Sequence, residues 1–361
     1  MAASSIAAPI TGFSAAPPPQ WRRRLTSSVP SRRILIWHNR HVPWLPYLYA
    51  PVTGTLVAAF SQASHTEVIL GWGTKRNDAP PFVGNLSALR RGDVYIWVGM
   101  GTDWELVQSP WRELRARGIH TVLYQTEPAH HCAVSYDGKW PVDELWDFSW
   151  HNLEPCEAQG GPRFPWSHLP GRALLRAPTL RYVPLGYLPQ ADVRVMPPTP
   201  RAAARPLFFF GDTSNNPKRH TCYKQLKKLL GQSVKHTYRA FNDAGYAKVV
   251  LAFDIHVNLH KECGDAHNPI TFRVAKLLNA RKLIISEHAH PKDEEEFAGM
   301  LVYADNMSHV AALYRSLAQY EWRERARVAA ARFRRKFQPV DIFKRARIYE
   351  SLGLELLHVS D

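Results

Sequence analysis

Residues 253–287 constrain the fold of this chain more than any other segment. They contain a short apolar run, a histidine-rich polar loop, a helix-like stretch with Arg273 near its start, and a second apolar run that ends at Glu287. A strand, a helix and a second strand in this order form one parallel βαβ unit. In an open α/β sheet the loops at the carboxyl ends of the strands face the ligand crevice. The polar residues of this segment are therefore predicted to lie at a binding site.

The same alternation of strand-like and helix-like stretches extends along the chain. In the first half, the apolar runs predicted to be strands are 32–39, 66–73, 92–100, 119–128 and 180–187. In the second half they are 206–212, 233–241, 255–260, 282–287 and 300–305. Helical stretches lie between them, and residues 308–337 are predicted to form one long helix. Strands that alternate with helices indicate parallel sheets, so we predict an α/β fold with two Rossmann-like, doubly wound domains.

The length of 361 residues exceeds the size at which one hydrophobic core usually keeps growing. Residues rich in Pro and Ala near position 200 mark an interdomain linker. The predicted parts are an N-terminal segment, a first domain, the linker, a second domain and a C-terminal helix, at 1–31, 32–190, 191–206, 207–340 and 341–361. A ligand crevice is expected where the two domains face each other.

The N-terminal segment is rich in Ala, Ser, Pro and Arg, and no carboxylate precedes Glu67. This composition resembles an organellar transit peptide, and a solvated disordered tail explains it equally well. The predicted location is therefore cytoplasmic, or plastid or mitochondrial if the segment is cleaved. Residues 42–66 carry no Asp, Glu, Lys or Arg, but Pro43, Pro46 and Pro51 interrupt the run. We therefore predict no transmembrane segment.

The net charge of +15 lies mostly at the two ends of the chain. Residues 1–33 have a net charge of +5, and residues 315–347 carry eleven Arg or Lys against three acids. No basic stripe interleaved with aromatic residues is visible, so no specific nucleic-acid partner is predicted. An alternative remains open, in which the basic C-terminal region binds nucleic acid or an anionic membrane. A solvated helix face is the commoner explanation of such a charge run.

The cysteines and histidines predict neither a disulfide framework nor a metal site. The four cysteines are widely scattered and form no CxxC pair, a pattern typical of a reducing compartment. The spacing of His288 and His290, and the run His130, His131 and Cys132, match no standard zinc template. We therefore predict hydrogen-bonded or solvated histidines, no bound metal and no cofactor.

A candidate anion site lies in the run RPLFFFGDTSNNPKRH at 205–220. An apolar strand leads directly into Gly211, and Lys218 and Arg219 stand at the start of the following helix. Glycine lets the backbone approach a ligand, and helix N-terminal amides beside Arg or Lys bind anions such as a pyrophosphate. The alternative is an Asn-rich turn with solvated basic residues.

Further polar residues are predicted to face the same crevice. Arg273 lies near the amino end of its helix, where the helix dipole disfavours a cation unless an anion or an acidic neighbour is close. Asn258 and His260 follow the preceding strand. Glu287 ends the next strand, where an acid in a Rossmann-like site receives ribose hydroxyls, although surface acids also occur at strand ends.

Candidate general bases come from the first domain. His38, Asp103 and Glu127 each follow a predicted strand, at the carboxyl edge of the sheet. Histidine, aspartate and glutamate can all deprotonate an acceptor hydroxyl. Taken one at a time, each of the three also fits a purely structural role.

The run FFFGDTSNNPKRH, followed by HVNLH, ITFRVAKLLNARKLIISE and LVYAD, resembles the CgeB-like (spore-protein-type) glycosyltransferases. RYVPLGY and DELWDFSWHN resemble further segments of that family, and the similarity covers roughly residues 32–340 and is clearest over 205–310. The resemblance implies a GT-B fold, a nucleoside-diphosphate sugar held mainly by the second domain, and an acceptor bound by the first. The identity of the acceptor is left open.

The resemblance also assigns roles to residues by position. Gly211, Arg219 and Arg273 would lie near the phosphates, Glu287 near the ribose or the sugar, and Glu127 would match an acid at the end of a first-domain strand. The predicted donor-binding residues are Gly211, Lys218, Arg219, Asn258, His260, Thr271, Arg273 and Glu287, and the predicted catalytic candidates are Glu127, His38 and Asp103.

One departure from the family pattern affects the prediction of activity. Many relatives carry a Glu two or three residues before the helix Arg, where this chain has Pro269, Ile270 and Thr271. Either Thr271 or His267 takes over donor recognition, or the protein is a catalytically silent GT-B-fold binder of nucleotide or glycan. The leading hypothesis is a metal-independent glycosyltransferase in which Arg219 and Arg273 neutralise the departing diphosphate.

Overall fold

The strands form two parallel sheets in the computed structural model of the chain. The structure describes residues 31–39, 45–73, 86–99, 111, 113–126, 142–158, 178–189, 206–214, 216–238, 245–260, 263, 271–318 and 322–357. The predicted N-terminal segment, apart from Ser31, and nearly all of the predicted linker lie outside these residues. The domain boundaries stay a prediction.

The first sheet has the strand order β2-β1-β3-β4-β5-β6, with every described pair parallel. Its strands are β1 (Arg32–Asn39), β2 (Thr66–Gly73), β3 (Val94–Gly99), β4 (His120–Gln125), β5 (Glu144–Asp147) and β6 (Thr179–Tyr182). Helix α1 (Leu45–Phe60) follows β1 and helix α2 (Trp150–Ala158) follows β5, and residues 111 and 113–116 are also helical, between β3 and β4. Because a parallel sheet is covered on both faces, its central strands are rich in apolar residues, and β3 is buried along its whole length.

The second sheet has the order β11-β10-β9-β7-β8 and is also parallel. Its strands are β7 (Leu207–Phe210), β8 (Val234–Thr237), β9 (Ile255–Asn258), β10 (Leu283–Glu287) and β11 (Val302–Ala304). Its helices are α3 (Pro217–Leu230), α4 (Thr271–Asn279), α5 (Pro291–Glu296), α6 (Met307–Leu317) and α7 (Trp322–Lys336). A π-helix (Tyr246–Val250) precedes β9, in the stretch 243–253 predicted to be helical.

Helices α3 and α4 lie on opposite faces of the second sheet. Leu207 and Phe209 of β7 pack in one buried cluster with Leu226 of α3, whereas Phe208 packs in another cluster with Phe272 of α4. This follows from the alternation of side chains along a strand. The chain moves from β7 to β8 in one direction and from β9 to β10 in the other, so the strand order reverses between β7 and β9.

The C-terminal part of the chain returns to the first sheet. After α7, helices α8 (Pro339–Arg345) and α9 (Ile348–Ser351) pack near α1. The Tyr349 hydroxyl donates to the carbonyl oxygen of Ala59 at 2.7 Å, and Ala63 forms an isolated β-bridge with Leu356. The segment predicted as a C-terminal helix, 341–361, thus contains most of α8, all of α9 and this bridge.

The prediction of one long helix over residues 308–337 is wrong, because the described residues form two helices. Helix α6 ends at Leu317, and α7 begins at Trp322. The apolar and basic pattern of these residues is helical on both sides, so the sequence alone did not mark the break. Among the described residues, no helix is both long and apolar enough to cross a membrane.

Candidate functional site

The candidate site lies at the point where the strand order of the second sheet reverses. Neighbouring strands β7 and β9 lead to helices on opposite faces of the sheet, and in an open α/β sheet the ligand crevice lies at the carboxyl edge of such a reversal point. The amino ends of α3 and α4 border this edge. A helix amino end carries partial positive charge, so this edge favours an anion.

Arg273, in the first turn of α4, reaches across to the ends of β7 and β9. Its Nη1 donates to Oδ1 of Asn258 at 2.8 Å and to the carbonyl oxygen of Leu259 at 3.4 Å. Its guanidinium lies over the ring of Phe209, 5.2 Å from the centroid. The cation is therefore held in one place at the reversal point.

Gly211 leaves the space that the Arg273 guanidinium occupies. A Cβ atom at this position would lie 2.8 Å from Nη2 of Arg273 and 2.8 Å from Cζ of Phe209. Any larger residue would displace the guanidinium or the ring. The sequence predicted that Gly211 allows a ligand to approach, and the structure adds a contact with the arginine.

Asn258 positions Arg273 from inside the sheet. It is fully buried, and its Nδ2 donates to Oγ of Ser286 at 3.0 Å. The Ser286 hydroxyl donates in turn to the carbonyl oxygen of Glu287 at 2.9 Å. This chain of hydrogen bonds fixes the amide of Asn258, and with it the direction of the guanidinium.

Arg219, in the first turn of α3, holds the loops after β7 and β9 together. It is buried, its Nε donates to the carbonyl oxygen of His260 at 3.1 Å, and its Nη1 donates to that of Asp212 at 3.1 Å. Asn216 caps the helix by accepting from the Arg219 backbone N–H at 2.9 Å. Lys218 is exposed beside it.

Glu287 is buried at the end of β10 and faces the loop after β9. Its Oε2 accepts from the backbone N–H of His260 at 2.6 Å, and its Oε1 lies 2.8 Å from Sγ of Cys263. The structure thus brings Glu287, His260 and Arg219 together. Thr271 begins α4, but its side chain and the whole of His267 lie outside the described residues.

Cys222 of α3 and Cys263 form a disulfide with Cα atoms 6.4 Å apart. The prediction against a disulfide framework is therefore wrong for these two cysteines, and the argument for a reducing compartment loses its support. Their separation of 41 residues hid the pair, because only the fold brings the loop after β9 onto α3. Both sulfurs lie within 4.8 Å of the Glu287 carboxylate, but in a disulfide they are not thiolate ligands for a metal.

The histidines near the site have protein partners. Burial lowers the pKa of His256 to about 3, so this residue is neutral, and its Nε2 lies 3.0 Å from the carbonyl oxygen of Phe253. Burial opposes the charged form of His288, but hydrogen bonds to Glu294 and Asp305 raise its pKa overall. His290 forms an ion pair with Glu154 of α2.

Of the three candidate general bases predicted in the first domain, His38 lies within the described residues. His38 is buried near the end of β1, where the order of the first sheet reverses between β1 and β3, and its ring meets Tyr49 edge-on at 5.6 Å. Asp103 and Glu127 lie outside the described residues. Their catalytic roles stay predictions.

Asp293 of α5 connects the two sheets and was missed by the sequence analysis. It is fully buried and accepts from Oγ of Ser149 at 2.8 Å and from the backbone N–H of Trp150 at 3.1 Å. Burial raises its pKa to about 6. Asp147, at the end of β5, accepts two hydrogen bonds from Asn152 at 3.0 Å, and burial raises its pKa as well. No local sequence pattern marks Asp293, because Ser149 and Trp150 are distant from it in the sequence.

Asp293→Asn is expected to change how stability depends on pH. The pKa rises from its ordinary value of 3.8 to about 6, so between these values the folded protein holds a proton that the unfolded chain releases. The free energy of unfolding contributed by Asp293 therefore falls as pH rises through this window, by up to about 3 kcal/mol. Urea titrations from pH 4 to 8 should show this fall in the wild type relative to the variant.

The matched control is Glu154→Gln, because Glu154 is an exposed acid beside the same cluster. Hydrogen bonds from Lys292 and His290 lower the pKa of Glu154. This variant should therefore keep the wild-type fall in stability between pH 4 and 6. A curve for Asp293→Asn that parallels the wild type over the whole range would show that Asp293 does not titrate there.

Several solved structures are similar to this chain over most of their length. HepE from Anabaena in complex with UDP and glucose has a TM-score of 0.55 and 13% identity, over 89% of this chain and 99% of that chain. An alpha-glucosyltransferase in complex with UDP has a TM-score of 0.56 and 10% identity, over 90% and 100% of the two chains. A glycosyltransferase from Rickettsia africae has a TM-score of 0.54 and 11% identity, over 92% and 100%.

These similarities lie in the fold and not in the sequence. No protein-family model matches the chain, and no curated protein matches it. At such low identity the comparisons establish the architecture alone. The predicted fold class is confirmed: the chain is an α/β protein of the GT-B type, with two Rossmann-like sheets.

Proposed function

We propose that this protein is a glycosyltransferase that moves a sugar from a nucleoside-diphosphate sugar to an acceptor. The observation that carries the proposal is the placement of Arg273, which Asn258, Gly211 and Phe209 hold where the strand order of the second sheet reverses. An open α/β sheet binds its ligand at this point, and a fixed guanidinium there fits a diphosphate.

The diphosphate site is proposed to work without a metal ion. Arg273 supplies a full positive charge, and the helix dipoles of α3 and α4 add partial positive charge at their amino ends. When the bond to the sugar breaks, negative charge develops on the leaving nucleoside diphosphate. Positioned cations that face this charge stabilise the transition state more than the ground state.

UDP is proposed as the first nucleotide to test. HepE from Anabaena and the alpha-glucosyltransferase were both solved in complex with UDP. Glu287 lies at the end of β10, where a carboxylate of a Rossmann-like site accepts ribose hydroxyls. Its Oε2 accepts from the backbone N–H of His260, in the segment that follows β9. We also propose that the protein is a member of the CgeB-like family and that the transferred sugar is a hexose.

The acceptor is proposed to bind at the first sheet. His38 lies where the order of that sheet reverses, and Asp103 and Glu127 follow the strands predicted beside it. One of these side chains would take the proton from the acceptor hydroxyl. The acceptor itself could be a glycan, a protein or a small molecule.

A second candidate function is nucleotide or glycan binding without catalysis. The sequence before Arg273 reads Pro269, Ile270 and Thr271, and it lacks the Glu of the resembled family. A carboxylate lost there would remove an acceptor for a sugar or ribose hydroxyl. A silent protein would bind the donor and leave its sugar–phosphate bond intact.

Turnover of the donor separates these two functions. Purified protein would be incubated with UDP-, GDP- and ADP-sugars in EDTA, with and without simple sugars and alcohols as acceptors, and free nucleoside diphosphate would be measured. We expect release of one nucleotide above the blank. Saturable donor binding with no release under any condition would support the silent binding protein instead.

A further inference from the structure

The Cys222–Cys263 disulfide lies directly beneath the proposed donor site. Cys222 is one turn after Arg219 on α3, so both face the same side of the helix. Cys263 comes three residues after His260, in the segment that follows β9. Both cysteines are 9% exposed, so the crosslink is part of the packed structure under the crevice.

The disulfide is one of two connections that the described residues show between α3 and this segment. The other is the hydrogen bond from Nε of Arg219 to the carbonyl oxygen of His260, at 3.1 Å. Since each connection joins the same helix to the same segment, together they fix both its distance and its direction. If the disulfide is broken, the described part of the segment keeps its hydrogen bonds with Arg219 and Glu287 but loses its covalent connection to α3.

Glu287 joins the same unit from β10. One carboxylate oxygen accepts from the His260 backbone N–H at 2.6 Å, and the other lies 2.8 Å from the Cys263 sulfur. A buried carboxylate that loses a donor becomes unfavourable, so Glu287 depends on the segment staying in place. Arg219, Glu287 and the disulfide therefore all hold the same segment after β9.

We infer that the Cys222–Cys263 disulfide is a positioning crosslink for the donor site, and that breaking it weakens the binding of the nucleoside-diphosphate donor. The inference rests on the proposed function. Its basis is preorganisation: a segment held in its binding conformation loses less entropy when the ligand binds. Both cysteines are positioning residues and touch no reacting atom.

The crosslink is broken by a dithiol reductant such as dithiothreitol. One thiolate of the reductant attacks a cysteine sulfur, and its second thiol closes the reductant into a cyclic disulfide. Two electrons and two protons pass to the protein, and Cys222 and Cys263 become thiols. Reoxidation restores the bond, so the same sample can be measured in both states.

The experiment compares UDP affinity in the oxidised and reduced wild-type protein by calorimetry, with alkylation and mass spectrometry to count free thiols. We expect the dissociation constant for UDP to rise about tenfold on reduction and to recover on reoxidation. With a turnover assay, the donor KM should rise in parallel while kcat stays nearly constant. A general loss of structure would lower kcat as well.

The Cys222→Ser, Cys263→Ser double variant is the matched control. It should bind UDP as weakly as the reduced wild type and should not respond to reductant. Because Cys132 and Cys156 remain in it, any further response to reductant would come from them and would overturn the assignment. Circular dichroism in each state checks folding. Unfolding on reduction at the assay temperature would show that the disulfide stabilises the whole fold, and this result would also overturn the crosslink proposal.

The remaining outcomes separate this inference from the proposed function. Equal UDP affinity in verified oxidised and reduced protein would overturn the crosslink proposal and leave the donor site intact. Two free thiols at Cys222 and Cys263 in untreated protein would also overturn it. If oxidised protein binds no nucleotide at all, the proposed function fails, and the crosslink proposal fails with it.

Discussion

Replacing Arg273 with alanine is expected to weaken the binding of the nucleoside-diphosphate donor at least about 100-fold, because charge-assisted contacts to phosphate are strong. The variant removes the guanidinium that Asn258 and Phe209 hold at the reversal point of the second sheet. Asn258 and Leu259 would lose a hydrogen-bond donor, but the sheet itself stays intact. Calorimetric titration of UDP and the other nucleoside diphosphates measures the loss directly.

Two further variants make the result specific. Arg273→Lys keeps the positive charge but loses the planar guanidinium, which can bind two phosphate oxygens at once. The affinity of this variant for UDP should therefore lie between those of the wild type and the alanine variant. Arg315→Ala removes the same charge from the last turn of α6, where Arg315 donates to the carbonyl oxygen of Leu229. That position is at the opposite edge of the sheet, and affinity should be unchanged. Wild-type affinity in folded Arg273→Ala would remove Arg273 from the donor site.

Glu144→Ala is expected to destabilise the fold by about 3–5 kcal/mol, because it breaks a buried ion pair by removing one partner. Glu144 accepts from Nε of Arg181 at 2.6 Å, from Nε1 of Trp146 at 2.8 Å and from Oγ of Ser351 at 2.7 Å. It thereby joins β5, β6 and the returning C-terminal segment. Unfolding by guanidinium chloride at pH 7 would measure the decrease in the free energy of unfolding.

The pH dependence of this contribution has a definite sign. Burial alone would raise the pKa of Glu144, but hydrogen bonds from His120, Arg181, Trp146 and Ser351 lower it to about 2. The unfolded chain therefore binds the proton first as pH falls. The stabilisation is complete above the ordinary pKa of 4.5 and is lost as pH falls from there towards 2.

The control for this prediction is Glu350→Gln. Glu350 precedes Ser351 and pairs with Arg347 on the surface, where solvent screens the interaction. Its loss should change stability little. If Glu144→Ala were as stable as this control, the contacts of Glu144 with the first sheet and the C-terminal segment would not contribute measurably to the stability of the fold.

Local patterns in the sequence were sufficient to locate most of the strands, although β5 was not among the predicted runs. The run at 32–39 was predicted as a strand and is β1, and the run at 66–73 is β2. Buried parallel strands are continuous apolar runs bounded by polar loops, so neighbouring residues carry the signal. The GT-B architecture followed from that alternation together with the resemblance at 205–310.

Contacts between distant residues could not be predicted in this way. The bond between Cys222 and Cys263 spans 41 residues, and the hydrogen bond between Ser351 and Glu144 spans 207. Such pairs depend on how the helices and strands pack, and no short pattern encodes them. The same reason explains why Asp293 was missed, since its partners lie on the other sheet.

The sequence predicted several residues of the candidate site but not the contacts between them. Gly211 and Arg273 were both expected near the phosphates, and the structure places them against each other. Asn258 was expected to contact the donor, whereas it is fully buried and positions Arg273. Arg219 was expected to face the phosphates, and its contacts with two loop carbonyls could not be deduced from its place on the helix.

The most direct test of the central claim is a calorimetric titration of UDP, GDP, ADP and CMP into folded wild-type protein in EDTA. We expect one nucleoside diphosphate, UDP first among them, to bind saturably at one site without metal. Binding that requires added Mg²⁺ would contradict metal independence. Absence of binding by all four nucleotides to protein that is verified as folded and oxidised would contradict the donor site itself.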